Sequence, residues 1–149
     1  MTTNPALASL QFLAGAWDME LSGASFLPDP DDKVHAPVTF EWIEQGAALV
    51  MRMGDVTTPT ATWIIGRDES DADYHVLYAD DRGVSRFYSM SFNESTWRMS
   101  RDTPEFSQRF DAEVSADRTE IHGTWRRSSD AGATWEHDFN VTYTRLSPT

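Results

Sequence analysis

From Gly15 onward apolar and polar residues alternate with a period of two, and the alternation keeps its phase from one turn to the next. Successive side chains of a strand point to opposite faces, and residues opposed across a hairpin share a face, so each turn tests the reading of the two strands it joins. The turn "DDRG" (80–83) suits a three-residue loop with Gly83 in the left-handed position, which pairs Tyr78 with Arg86, Val76 with Tyr88 and Tyr74 with Met90. A two-residue turn at Glu94-Ser95 sets Phe92 opposite Trp97 and Met90 opposite Met99, and extends to Tyr88 opposite Arg101. Turning at Pro104-Glu105 sets Arg101 opposite Gln108 and Met99 opposite Phe110. Centring the last hairpin on Ala131 sets Trp125 opposite His137 and Gly123 opposite Phe139. One largely apolar face thus runs through five strands, while the other parity collects Ser89, Ser91, Arg98, Arg109, Asp111 and Glu136.

Strands are expected at 16–22, 37–45, 47–54, 60–67, 73–80, 84–92, 96–103, 106–115, 119–128 and 134–145, and only 5–13 looks helical, with Asn4 as N-cap and Pro5 at the first position. In the N-terminal half the same face carries Trp17, Met19 and Leu21, then Phe40, Trp42 and Glu44, then Leu49, Met51 and Met53. A meander with one buried face can pack on itself by closing, which also removes its edges, and an even strand number lets the last strand lie antiparallel to the first. The pattern therefore predicts an all-β, ten-stranded antiparallel up-and-down barrel, a single domain over 1–149, with the short N-terminal helix capping its closed end. Strand ten then finishes beside the start of strand one, bringing Arg145 over Trp17 as a cation–π pair worth about 0.5–2 kcal/mol.

Charge and composition narrow the function. With 24 acidic against 12 basic side chains the net charge is −12, which repels phosphate backbones and anionic headgroups, so neither nucleic acid nor membrane is an expected partner. The absence of cysteine excludes disulfides, thiolate catalysis and Cys-ligated metal centres. The N-terminal "MTTNPALASLQFLAGAW" has neither a basic n-region nor an apolar run of about 20 residues, and the expected location is cytoplasmic. The acidic run "RDESDAD" (67–73) lacks calcium-loop spacing, and no metal site is expected. Phosphate-loop, zinc-protease, dinucleotide and serine-hydrolase motifs are absent. Outward-facing Phe87 and Ile43 are the candidate patch for a homodimer.

The trace also says which end is open. Connections 23–36, 54–59, 81–83, 104–105 and 129–133 gather at the end away from the helix, and the longest, "GASFLPDPDDKVHA", is a candidate lid whose Phe26 and Leu27 dip into the mouth. Tyr78, Arg86, Tyr88, Arg101, Gln108, Trp125 and His137 are the inward residues nearest that end, while Trp42 supplies a flat wall and Met51 an adaptable one. Burying an arginine without a partner is expensive, so Arg86 and Arg101 imply either internal acids or an anionic or strongly polar ligand. Asp80 and Asp102 at the rim are the carboxylates that would neutralise them, and Glu44, the one inward acid, falls toward the bottom.

A short helix, G-x-W ("GAW", 15–17) opening the first strand and an arginine ("YTR", 143–145) closing the last resemble the calycin superfamily of lipocalins and fatty-acid-binding proteins. Over nearly the whole chain, "WIIGRD", "YADDRGVSRFYSMSF", "FSQRF" and "WEHDFNVTYTR" resemble an uncharacterised bacterial lipocalin-like family, the DUF1579-type proteins. A more distant resemblance to the nitrobindins, which bind haem through a histidine on the last strand, implies haem binding through His137. Three functions follow. The leading one is non-enzymatic binding or carriage of a small, partly apolar molecule with an acidic or carbonyl group, needing no cofactor. The second is an isomerase, cyclase or lyase using His137 as general acid or base and the arginines as anion stabilisers. The third is haem binding.

Overall fold

The computed structural model describes residues 4–24, 26–29, 31–54 and 59–146. Ten antiparallel strands close into one barrel in chain order: β1 (Gly15–Ser22), β2 (Lys33–Ile43), β3 (Ala48–Gly54), β4 (Pro59–Gly66), β5 (Tyr74–Asp80), β6 (Ser85–Asn93), β7 (Thr96–Arg101), β8 (Ser107–Val114), β9 (Glu120–Ser128) and β10 (Glu136–Arg145), with β10 returning to β1. Three expected hairpin registers are present, in Tyr78 opposite Arg86, Met90 opposite Met99, and Arg101 opposite Gln108. Among the described residues no helix is long and apolar enough to cross a membrane.

Strand β2 departs from expectation at both ends. It begins at Lys33 rather than 37, because β1 recruits a weakly apolar segment by pairing Leu21 with Val34 and Asp18 with Pro37. The loop over the mouth is correspondingly shorter than 23–36. At its other end β2 stops at Ile43, where Glu44 and Gln45 take left-handed backbone angles (φ 49° and 58°) in a 3₁₀ turn. Glu44 is therefore exposed, and the inward acid expected near the bottom is absent. The 54–59 connection lies mostly outside the described residues.

The closed end explains the G-x-W opening. Pro5–Leu13 forms a 3₁₀ helix whose first turn is capped by Asn4 Oδ1 accepting from the Ala6 amide at 3.0 Å. With three residues per turn, Leu7, Leu10 and Leu13 fall on one face, and all three are buried in the barrel bottom. Beneath them Trp17 donates its indole N–H to the Leu13 carbonyl at 2.8 Å. Arg145 lies opposite Trp17 on β10, places its guanidinium carbon 4.4 Å from the ring centroid, and donates to the carbonyls of Phe12 and Ala14. It thus satisfies carbonyls that the helix end would otherwise leave unpaired. Gly15 has φ 125°, and a Cβ there would stand 3.0 Å from Arg145 Nη1. Glycine is needed both for the backbone angle and for the approach of the guanidinium.

Above this seal the interior is filled by aromatic edges. Trp97 meets Phe110 at 5.2 Å and Trp63 at 6.3 Å, both edge to face. Phe110 leans over Gly123, where a Cβ would fall 2.5 Å from the ring, so the missing side chain on β9 makes room for the ring on β8. The filling ends part of the way up and leaves a cavity toward the other end.

Candidate functional site

The cavity occupies about 370 Å³ at the end away from the helix. Its walls are Met19, Trp63, Tyr88, Trp125, Phe139 and Tyr143, with Tyr78, Arg82, Arg86, Phe106, Gln108, Arg127 and Asp138 around its upper part. Tyr88 stands edge-on to both Tyr78 (6.3 Å) and Trp125 (5.8 Å), and Trp125 stacks on Phe139 at 6.1 Å. Such a cavity, mostly apolar with a few converging polar groups, has the size and chemistry of a small-molecule site.

Arg86 supplies the sharpest feature. Its guanidinium lies 4.7 Å over the Phe106 ring, and among the described residues no carboxylate comes within ion-pair distance of it. The two rim acids that could have neutralised it are engaged elsewhere. Asp80 pairs with Arg82 at 2.6 Å and accepts from the Tyr78 hydroxyl at 2.7 Å, while Asp102 pairs with Arg109 at 2.6 Å. Tyr88 donates its hydroxyl to Gln108 Oε1, which sets the amide and leaves the Gln108 NH₂ group as a donor at the cavity. Trp63, in the cavity wall, keeps an indole N–H with no partner among the described residues.

Both phenols stay protonated at neutral pH. Burial, reinforced by the Asp80 carboxylate, pushes Tyr78 up to about 12. Burial also raises Tyr88, partly offset by Arg86 and Arg101. Asp80, held by Arg82 and Tyr78 together with the Val84 and Arg82 amides, stays well below the usual carboxylate range and keeps its charge.

Of the residues expected to line the site, Tyr78, Arg86, Tyr88, Gln108 and Trp125 do so. Four do not. Met51 is fully buried in the packing below the cavity. Trp42 sits at the closed end, donating to Gln11 Oε1 at 2.8 Å. Arg101 is at the rim outside the cavity lining, donating from Nε to the Phe106 carbonyl at 3.3 Å. His137 faces outward, exposed and hydrogen-bonded at 3.0 Å to Asn140 on the outer surface.

A β-bulge turns His137 out. Arg126 pairs with His137 and Trp125 with Phe139, so Asp138 is the extra residue and the phase of β10 changes there. Trp125 faces Phe139 and Gly123 faces Val141, where the uninterrupted reading set Trp125 against His137 and Gly123 against Phe139. Asp138, 6% exposed, takes the inward place, with Arg127, the β9 partner of Glu136, 3.9 Å away. A histidine outside the wall serves neither as acid or base in the cavity nor as an axial haem ligand there, and the residues facing the cavity do not fit the histidine-ligated haem that the nitrobindin resemblance implied. The signal that could have found Arg127 was in "RRSSD", where extending the Trp125 parity by two residues places it inside; Asp138 had no such signal, because only the bulge brings it in. Of the two loop residues expected at the mouth, Phe26 borders the cavity with its ring 5.9 Å from Phe139, edge to face, whereas Leu27 is not part of the lining.

No protein-family model matches this sequence, and no curated protein does. The DUF1579-type and nitrobindin resemblances thus have no family match behind them. The crystal structure of Rv2717c from M. tuberculosis superposes with a TM-score of 0.65 at 12% identity, covering 98% of this chain and 100% of that one. That likeness concerns the fold alone, and together with the closed ten-strand barrel it fits a calycin-like fold.

Proposed function

We propose that the barrel reversibly binds or carries a small, partly apolar molecule bearing an acidic or carbonyl group. The observation that carries this reading is Arg86: a guanidinium at an apolar cavity, stacked on Phe106, with the neighbouring rim acids already paired to Arg82 and Arg109. A charged donor in such surroundings forms stronger hydrogen bonds than in water and is costly to leave unmatched. Gln108 and Trp63 supply neutral donors, and Trp125, Tyr88 and Phe139 supply flat surfaces for a ring or acyl body. Native mass spectrometry of the protein purified from its own host tests the reading. A co-purified mass of an acid or carbonyl compound, lost in Arg86→Met, is the expected result; a bound mass with neither group, or one retained in Arg86→Met, would refute it.

A further inference from the structure

Asp138 is a carboxylate inside the cavity that the binding of an acidic or carbonyl group leaves unused. The bulge between His137 and Phe139 carries it inward, and it is 6% exposed. Among the described residues nothing donates a hydrogen bond to it. Arg127 approaches only to 3.9 Å, and the same guanidinium stands 3.7 Å from Glu136. Buried polar groups are ordinarily hydrogen-bonded, so a carboxylate without a donor of its own at a cavity wall is placed to accept one from a bound molecule.

Its position relative to Arg86 sets the geometry of that partner. Asp138 is on β10 and Arg86 on β6, four strands apart in a ring of ten, and hence on nearly opposite walls. With strands about 4.8 Å apart and tilted roughly 40°, such a ring is about 20 Å across its backbone, so the two residues border the cavity from opposite sides. Trp125 and Tyr88 form aromatic wall between them. We propose that the ligand is bipolar: a flat apolar body with a hydrogen-bond acceptor, acidic or carbonyl, at Arg86 and a hydroxyl or N–H donor at Asp138. This rests on the binding function proposed above and adds the donor end. The substrate class it names is a hydroxy- or amino-substituted aromatic acid or carbonyl compound, rather than a simple fatty acid, whose tail offers Asp138 no donor.

Calorimetric titration of the full chain with 2-naphthoate and with 6-hydroxy-2-naphthoate tests it, using wild type, Asp138→Asn, Asp138→Ser and Arg86→Met, with circular dichroism to confirm that each variant is folded. The hydroxyl is expected to tighten binding to wild type about tenfold, the size of a hydrogen bond to a charged acceptor. That gain should fall to about twofold or less in both Asp138 variants, while 2-naphthoate binds them as well as or better than wild type. Naphthoates that bind wild type and depend on Arg86, with no hydroxyl advantage or with one that survives both Asp138 substitutions, would overturn the donor assignment and leave the binding function standing. Naphthoates that do not bind wild type, or that bind Arg86→Met equally well, would overturn both.

Discussion

Arg145 and Trp17 are paired across the β1–β10 seam, with the guanidinium carbon over the indole 4.4 Å from its centroid while the two side chains hydrogen-bond the same helix end. The barrel closes where its first and last strands meet, and this contact ties that seam to the plug. Arg145→Met should lower stability by about 2–4 kcal/mol, combining the cation–π contact with lost bonds from a charged donor. Urea unfolding monitored by tryptophan fluorescence reads it, and an unchanged midpoint would show that the helix end is satisfied otherwise. Gly15→Ala, strained at φ 125° and directed at the guanidinium, should shift the midpoint the same way.

Gly123→Ala tests the tight approach of β9 to the Phe110 ring. The added methyl would stand 2.5 Å from Phe110 Cε1 and 3.1 Å from Ala112 Cβ, an overpacking expected to cost about 1–3 kcal/mol. Phe110→Leu, itself destabilising, should remove much of that additional cost in the double variant. Strict additivity in the double-mutant cycle would place the strain elsewhere.

The two arginines expected at the site should separate. Arg86 borders the cavity, whereas Arg101 is at the rim and donates to the Phe106 carbonyl. Arg86→Met should weaken 2-naphthoate binding by about 10–100-fold, the loss of a charge-assisted bond, and Arg101→Met by no more than about threefold. Equal effects in a calorimetric titration would move the anion position outward to the rim.

Three of the four tyrosines, Tyr78, Tyr88 and Tyr143, have hydroxyls raised by burial. Their neutral forms are favoured on folding, so their effect on stability is nil below pH 10. The unfolded chain loses its phenolic protons first above that, and stability falls as pH rises from 10 toward 12. An ultraviolet titration should show Tyr78 ionising near 12 and Tyr143 only on unfolding; Tyr78→Phe should remove the first of these and make the alkaline loss of stability less steep.

Asp138 should trade stability for recognition. Burial raises its carboxyl above the usual range more than Arg127 and His137 lower it, so ionisation opposes folding. The penalty is absent below the unfolded value of 3.8 and grows as pH rises through the folded one. Asp138→Asn should therefore melt at a higher temperature than wild type at pH 7, with the difference narrowing toward pH 4. A lower melting temperature at pH 7 would mean that the pair with Arg127 outweighs the burial.

The ten strands, three of the hairpin registers and the Trp17–Arg145 seal were legible in the amino-acid order, because side-chain alternation and turn chemistry are local and each hairpin checks its neighbour. The same locality hid what governs the site. Nothing in "WEHDF" says that an extra residue is to be accommodated at 138, where the β9–β10 register steps from Arg126 opposite His137 to Trp125 opposite Phe139 before β10 begins to pair with β1 at Asn140. A one-residue shift of phase exchanges inside for outside, so that one decision put His137 in solvent and Asp138 in the cavity. Sequence alone determined that the chain rolls into a sealed cup with arginine toward its mouth. Only the tertiary structure decided that Arg86 borders the cavity with the rim acids Asp80 and Asp102 paired elsewhere, and that Asp138 turns inward, since both depend on contacts and register between strands that no single segment encodes.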